Sequence, residues 1–323
     1  MATSGSYSFT VNRGQIIRDA MLNIGRLDET EAPTAQETTD IAFKLNALIK
    51  QWMGKTDYAP GLKVFTRRRG HLFLKNTTGP YVMGPSSATG WTVDTPVTPL
   101  TTTTATAAAT AIVVNSATGL TTGMYLGIQL DSGALYWTTI SSVVGSTVNF
   151  IAGSLPSQSS TGSQVFAFTT IAQQPLDISA IVLRDNQSTD TPMRIMTSEE
   201  YDFLTNKMDP QNSGDPTAVY TENQRNYTYL YTDIGVSQDV SKHLVITFME
   251  PVQDVLQDSD EFEYPQEWFL ALSWGLAKQI CPSFSVNWTP LMQDNFANAL
   301  AIASHKDPET TALYFQPYDT GSN

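Results

Sequence analysis

The sequence predicts an α+β fold: a helical-bundle core with a β-region, and a small all-β domain inserted in the middle of the chain. Segments near both ends of the chain carry apolar residues at helical spacing. The segment 86–170 instead carries short β-branched runs between Gly-containing turns, and its only charged residues are Asp94 and Asp131. This contrast in composition predicts that one β-domain interrupts a host domain.

Two helices are predicted at the start of the host domain. Asn12 can cap the first helix and Gly25 ends it, and the helix carries one apolar face formed by Ile16, Ile17, Ala20, Met21 and Ile24. The second helix begins with a capping box between Thr34 and Glu37 and continues to Gly54. A β-hairpin with strands at 62–66 and 71–75 is predicted to follow.

The inserted segment and the rest of the host domain are predicted from the same signals. Alternating runs inside the insert predict strands at 111–114, 124–130, 135–140, 147–151 and 164–168. After the insert, we expect strands at 176–183, 218–220, 227–231 and 244–248, a helix from Thr197 to about 208, and closing helices after Pro265 and at 290–304. The predicted domains are therefore a core at 1–85, the insert at 86–170, a second core segment at 171–306 and an extended arm at 307–323.

Composition excludes several classes of function. The 323 residues carry a net charge of −13, which argues against capture of nucleic acid by bulk electrostatics. We find no phosphate-binding loop, dinucleotide fingerprint, nucleophile elbow or zinc-protease motif, so we expect no catalysis and no cofactor. Cys281 is interpreted as a core residue, and the three histidines show no metal-ligand spacing. Without a secretory signal or a long apolar run, we expect folding in the cytosol and no membrane contact.

A basic cluster is the first candidate site. Arg67, Arg68 and Arg69 follow Lys63 and precede Lys75, and we expect them at the tip of the predicted hairpin. One interpretation is a solvated turn that balances acidic residues elsewhere. The other is a contact with an acidic partner surface or with DNA, because the guanidinium fork suits carboxylates and phosphates. An isolated basic patch on an acidic chain favours the protein partner.

Aromatic residues are the second candidate site. Tyr227, Tyr229 and Tyr231 alternate on one strand, which fits either core packing or an interface. Tyr314, Phe315 and Tyr318 lie in the predicted arm, where we expect them to bind a groove of a partner.

Several of these segments resemble the head-to-tail adaptor proteins of short-tailed bacteriophages. The resemblance rests on 16–25 (IIRDAMLNIG), 33–37 (PTAQE), 45–52 (LNALIKQW), 264–272 (YPQEWFLAL), Leu276-Ala277 and 280–284 (ICPSF). It implies an α-helical core with a β-region, assembled as a ring, commonly a dodecamer, between portal and tail. It also implies an arm, here 307–323, that reaches along the portal protein.

The resemblance implies a structural protein of the virion at the portal vertex. Its expected partners are the portal protein, sister copies of the chain, and a tail nozzle or fibre protein, with DNA passing through the channel without specific binding. Two other functions remain open from the residues alone. One is a cell-wall glycan hydrolase that uses a pair of carboxylates. The other is a fibre-type or receptor-binding β-protein in which 86–170 carries the function.

Overall fold

The chain forms two compact units, Met1–Thr66 with Val252–Asn323 and Arg67–Pro251. The computed structural model describes residues 9–53, 66–75, 79–85, 90–151, 153–185, 188–207, 213–236 and 242–304. Helices dominate the described part of the first unit, and strands dominate the second. In the described part of the chain, no helix has both the length and the apolar character needed to cross a membrane.

The first unit is built around one hydrophobic core. Its helices are α1 (Arg13–Asn23), α2 (Ala35–Met53), α4 (Trp268–Ile280) and α5 (Pro290–Ser304). The predicted face of α1 is buried, and the core also contains Leu45 and Ile49 from α2 and Leu272 and Leu276 from α4. The four predicted helices are therefore confirmed.

Side-chain caps explain where the first two helices begin. The backbone N–H of Gln15 donates to the Asn12 side chain over 2.9 Å, and the Gln15 side chain accepts from the Asn12 backbone N–H over 3.0 Å. Glu37 and Thr34 make the same reciprocal pair at the start of α2, with distances of 3.0 and 3.3 Å. Each box satisfies backbone donors that a helix start leaves without partners.

Every strand in the described part of the chain belongs to the second unit, which also contains the short helix α3 (Ser198–Asp202). The strands are β1 (Arg67–Phe73), β2 (Tyr81–Met83), β3 (Trp91–Thr92), β4 (Ala111–Val113), β5 (Tyr125–Gln129), β6 (Leu135–Val144), β7 (Thr147–Phe150), β8 (Val165–Phe168), β9 (Asp177–Arg184), β10 (Asp190–Met196), β11 (Ser213–Gly214), β12 (Ala218–Asn223), β13 (Thr228–Thr232), β14 (Gly235–Val236) and β15 (His243–Met249). Eight of them form a nearly closed, barrel-like sheet in the order β2-β13-β12-β10-β9-β15-β1-β3. A short parallel pair joins β11 to β14.

The eight-stranded sheet buries one of its faces. Leu72 of β1, Leu244 and Ile246 of β15 and Leu183 of β9 belong to one buried cluster, to which Trp91 of β3 also belongs. Because side chains alternate along a strand, the residues between them point to the opposite, outer face. That outer face carries the candidate residues discussed below.

The central segment forms a second sheet with its own core. Strands β4 to β8 pair in the order β4-β7-β6-β5-β8, which confirms the five strands predicted between 111 and 168. Leu126, Ile128, Ile140 and Val148 are fully buried within it. The predicted boundaries of the domains, at 85/86, 170/171 and 306/307, stay a prediction.

The predicted fold class is wrong. The chain is mostly β, and its largest element is the nearly closed eight-stranded sheet instead of a helical-bundle core. The strands predicted at 176–183, 218–220, 227–231 and 244–248 do form. The sequence alone assigns no partners to these strands. In the structure β9 and β15 pair with each other, and β15 also pairs with β1 across about 175 residues of sequence. Alternation predicts a strand but does not specify so distant a partner.

The predicted β-hairpin is also corrected. Arg67–Arg69 lie inside β1, which pairs with β15 and β3, and not at the tip of a turn. Most of the predicted partner strand, 62–65, lies outside the described residues. Farther along the chain, α3 begins at its predicted Thr197 capping box but ends at Asp202, well before 208.

Two helical glycines of the first unit give opposite expectations for stability. A Cβ added to Gly275 of α4 lies 2.7 Å from Cζ2 of the buried Trp52, whereas a Cβ at Gly14 of α1 meets nothing closer than 3.4 Å. Overpacking costs about 1–3 kcal/mol, and a helical Gly-to-Ala change gains up to about 1 kcal/mol. Gly275→Ala should therefore lower the free energy of unfolding, and Gly14→Ala should leave it unchanged or raise it.

Urea unfolding followed by far-ultraviolet circular dichroism measures both effects, since the helical signal comes mainly from the first unit. Equal stability of Gly275→Ala and the parent chain would contradict the close packing of α4 on Trp52.

Candidate interaction surface

The arginine cluster lies along an exposed part of β1. Arg67, Arg68 and Arg69 are all exposed, and they lie opposite Met249, Phe248 and Thr247 of β15. Arg67 and Arg69 share the outer face of the sheet, whereas Arg68 points to the other face. Nε of Arg68 lies 3.3 Å from Oε2 of Glu250, so this side chain already has a carboxylate partner within the chain.

The outer face continues from β1 across β15 to β9 and β10. Arg184 donates two hydrogen bonds, of 2.7 and 2.8 Å, to the carboxylate of Asp190. These bonds, together with the positive charges of Arg184 and Arg69, hold the pKa of Asp190 below its usual range. Arg69 therefore lies close enough to this ion pair to contribute to its field, and it has no ion pair of its own among the described residues.

A group of tyrosines covers another part of the same face. Tyr220 of β12 lies opposite Tyr231 of β13, with ring centroids 5.8 Å apart. Tyr229 follows at 6.1 Å from Tyr231, and Tyr227 lies 4.9 Å from Tyr229. Tyr201 of α3 packs on the first two rings at 5.1 and 5.2 Å. We call these five residues the tyrosine face.

The tyrosine face surrounds a small buried cluster. Tyr201 is only 8% exposed and belongs to that cluster with Met196 and Ala218, and Tyr220 and Tyr231 pack against it. Tyr220, Tyr227, Tyr229 and Tyr231 are half-buried, whereas Thr228 and Leu230, on the other face of β13, are fully buried. At its edge, Nζ of Lys207 lies 4.2 Å from the Tyr201 ring centre, and Phe203 is 84% exposed. Ordered, half-buried tyrosines with a mixed polar rim are typical of protein contact surfaces. The predicted alternation of tyrosines on one face is confirmed.

The aromatic residues predicted to bind a partner, Tyr314, Phe315 and Tyr318, lie outside the described residues. Cys281 is buried at the end of α4, as interpreted from the sequence. Burial raises the pKa of its thiol, which disfavours the reactive thiolate.

The structure also brings together two histidines that sequence reasoning kept apart. His71 and His243 are separated by 172 positions, yet their ring nitrogens Nδ1 and Nε2 lie 3.1 Å apart. Each side chain is only 7% exposed. No spacing rule finds this pair, because it depends on the register between β1 and β15.

The histidine pair borders a small polar cavity of about 130 Å³ within the second unit. Its other lining residues come from the ends of β9, from β8 and from the segment before β4: Thr95, Pro96, Thr98, Gln164, Phe166, Arg184, Asp185 and Ser188. Among the residues that the structure describes, no group of three or more His, Cys, Asp or Glu side chains could hold a metal ion.

The histidine pair makes stability depend on pH. Burial, together with the positive charge of Arg184, lowers the pKa of His71 from 6.5 to about 4. Burial also lowers the pKa of His243 to about 4, with smaller contributions from the neighbouring His71 and Arg184. The unfolded chain therefore takes up protons at a higher pH than the folded chain. Stability should be full above pH 6.5 and decrease as the pH falls toward 4.

Chemical unfolding at pH 7, 6 and 5 tests this expectation, since most carboxylates titrate at lower pH. The double variant His71→Gln/His243→Gln should lose most of the decrease, and the control His305→Gln should retain it. A decrease that is the same in all three proteins would contradict a role for the pair.

Comparison with known proteins assigns no family to the chain. No model of a known protein family matches it, and no curated protein matches it either. A functional proposal therefore depends on the residues and contacts described above.

Proposed function

We propose that the chain is a structural virion protein, a head-to-tail adaptor that forms a ring beneath the portal protein and joins it to the tail. The observation that carries this proposal is the packing of the adaptor-like segments. Residues 16–25, 45–52 and 264–284 are far apart in sequence, yet they contribute to a single hydrophobic core in the first unit. The resemblance therefore concerns residues that act together in the folded chain.

Specific contacts join these segments. The rings of Trp52 in α2 and Trp268 in α4 lie 6.0 Å apart. The Asn23 side chain at the end of α1 donates to Oγ of Ser273 in α4 over 2.9 Å, and Ser273 in turn donates to Asp19. A buried serine with two side-chain partners fixes the position of α1 along α4.

The segment before α4 strengthens this arrangement. The backbone N–H groups of Arg13 and Gly14 donate to the carbonyls of Asp260 and Asp258, each over 3.1 Å. Arg13 also pairs with the Asp258 carboxylate at 2.6 Å. The start of α1 is thus fixed to the acidic segment that leads into α4, so the two adaptor-like regions form one structural element.

The exposed surface of the first unit suits assembly. Large apolar side chains are more than half exposed there: Phe9, Phe43, Leu256, Leu270, Leu291 and Ile302. Asp294 is the only charged residue of α5, and only Ala299 and Ala303 of that helix are buried. Apolar surface of this kind is typical of chains whose burial is completed by contacts with other subunits.

Charge favours a channel wall over a nucleic-acid binder. A net charge of −13 per copy repels phosphates, so DNA can pass a ring of such subunits without specific binding. The exposed Arg67 and Arg69 and the tyrosine face are then assigned to protein partners, either the portal protein, a tail nozzle or fibre protein, or a neighbouring copy. The chain is proposed to have no catalytic activity.

Imaging of a mixture with the cognate portal protein tests the proposal. Purified chain and portal protein, combined near physiological salt, should show added ring-shaped density at the narrow end of the portal in negative stain. The chain alone and the portal alone are the controls. Absence of association under these conditions would overturn the proposal.

A matched pair of variants tests the arginine surface. Arg67→Ser/Arg69→Ser should weaken assembly about 2- to 30-fold, since exposed charge contacts contribute roughly 0.2–1 kcal/mol each. The difference in affinity between the parent chain and this double variant should become smaller at high salt, because salt screens the charge contacts of the parent chain. Arg194→Ser, which removes an exposed arginine paired with Glu200, should bind as the parent does. Light scattering of mixtures with the portal protein measures the affinities. Equal affinities for the parent chain, the double variant and Arg194→Ser would mean that Arg67 and Arg69 are solvent-exposed residues at a strand end with no role in assembly.

A further inference from the structure

The register of β1 against β15 creates a pair of histidine ligands on the outer face of the eight-stranded sheet. His71 lies opposite Val245, and Phe73 lies opposite His243, so the two histidines are diagonal neighbours on adjacent antiparallel strands. Side chains at diagonal positions of one face are within reach of each other. Two imidazoles that meet in this way can act as a chelating pair.

Among the described residues, the two rings are hydrogen-bonded only to each other. Nδ1 of His71 and Nε2 of His243 lie 3.1 Å apart, and neither ring has a second hydrogen-bond partner there. Phe73 packs 5.8 Å from the His243 ring and limits its movement on one side. On the other side both rings border the cavity of about 130 Å³, which has room for several water molecules.

We propose that Nδ1 of His71 and Nε2 of His243 bind one divalent transition-metal ion, Cu²⁺ in preference to Ni²⁺ or Zn²⁺, with the remaining coordination positions facing the cavity. Two metal–nitrogen bonds of about 2.0–2.1 Å place their nitrogens roughly 2.9 Å apart at the right angle of tetragonal Cu²⁺ and roughly 3.3 Å apart at a tetrahedral angle. The observed separation is 3.1 Å. The ring that donates in this contact must take its other tautomer, with the proton on its remaining nitrogen. Because the terminal torsion of histidine is soft, a small ring rotation then directs both lone pairs to one ion.

The charges around the pair are compatible with a cation. Arg184 is the only Lys or Arg side chain that lines the cavity among the described residues. Its positive charge acts on both rings, and the carboxylate of Asp190, which accepts two hydrogen bonds from it, offsets part of that charge. Asp185 adds a second carboxylate to the lining. Arg69, farther along β1, contributes a weaker positive field. Thr95, Thr98 and Gln164 offer oxygen atoms that can hold water on the ion.

An ion at this position would link two strands of the large sheet and lie against the five-stranded sheet. His71 and His243 belong to β1 and β15, whereas Gln164 and Phe166 of the cavity belong to the segment that forms β8. Such an ion would stabilise the contact between the two sheets of the second unit. The inference does not depend on the proposed adaptor function.

Metal titration of the untagged full chain tests the proposal. Calorimetric titration with Cu²⁺, Ni²⁺ and Zn²⁺ at pH 7 should show one ion per chain, tightest for Cu²⁺ as the usual order of affinities requires. Saturation should also raise the temperature of unfolding, because the ion binds the folded chain only. Absence of saturable binding up to about 1 mM would overturn the proposal.

Substitutions identify the ligands. His71→Gln and His243→Gln should each weaken Cu²⁺ binding at least about 10-fold, and the control His305→Gln should bind as the parent does. Equal binding by all three variants would overturn the assignment. Circular dichroism verifies that each variant is folded.

Electron paramagnetic resonance of Cu²⁺ on the parent chain gives an answer that does not depend on how the variants fold. Two coordinated imidazoles produce splitting from two nitrogen nuclei, and ¹⁵N labelling of histidine alone should change that pattern. A spectrum without histidine nitrogen splitting would show that the ion lies elsewhere and would contradict the proposal.

Discussion

The pairing of β1 with β15 is the constraint on which most of the second unit depends. It spans seven residue pairs, from Arg67 opposite Met249 to Phe73 opposite His243. One face of β1 then supplies Leu72 to the buried side of the sheet. The other face carries Arg67 and Arg69 into solvent at one end and His71 and Phe73 toward the five-stranded sheet at the other. A slip of one residue would exchange these faces and turn Leu72 out of the buried side of the sheet.

The same strand explains how two sheets share one unit. Phe73 contacts Phe166 and Phe168 of β8 at centroid distances of 4.5 and 5.9 Å, and Trp137 of β6 at 5.6 Å. A single aromatic residue on the outer face of the large sheet is thus enclosed by the small one. This aromatic contact lies beside the histidine pair, which is why two imidazoles lose most of their solvent there. The arginines, only a few positions earlier on β1, stay exposed.

Local signals predicted much of this structure, and long-range pairing accounts for what they missed. Asn12, Thr34 and Thr197 begin helices as expected, because a capping side chain acts on its own neighbours. The arginine cluster was placed in a turn because it lies between two segments that were predicted as the strands of a hairpin, 62–66 and 71–75. The histidine pair could not be found at all, since its two members meet only through a sheet that joins distant segments. The tyrosines were recognised because their alternation is itself local.

The separation of β1 and β15 along the chain has a consequence for biosynthesis. The five-stranded sheet is assembled from 111–168, so its pairings close over short distances as soon as that stretch leaves the ribosome. The large sheet cannot be completed until residue 249 has been translated, because β15 lies between β9 and β1. Until then β1 and β9 expose unpaired edges, which are templates for aggregation. Until it pairs, β1 carries three consecutive arginines, and the repulsion between these like charges disfavours pairing of β1 edges from two nascent copies.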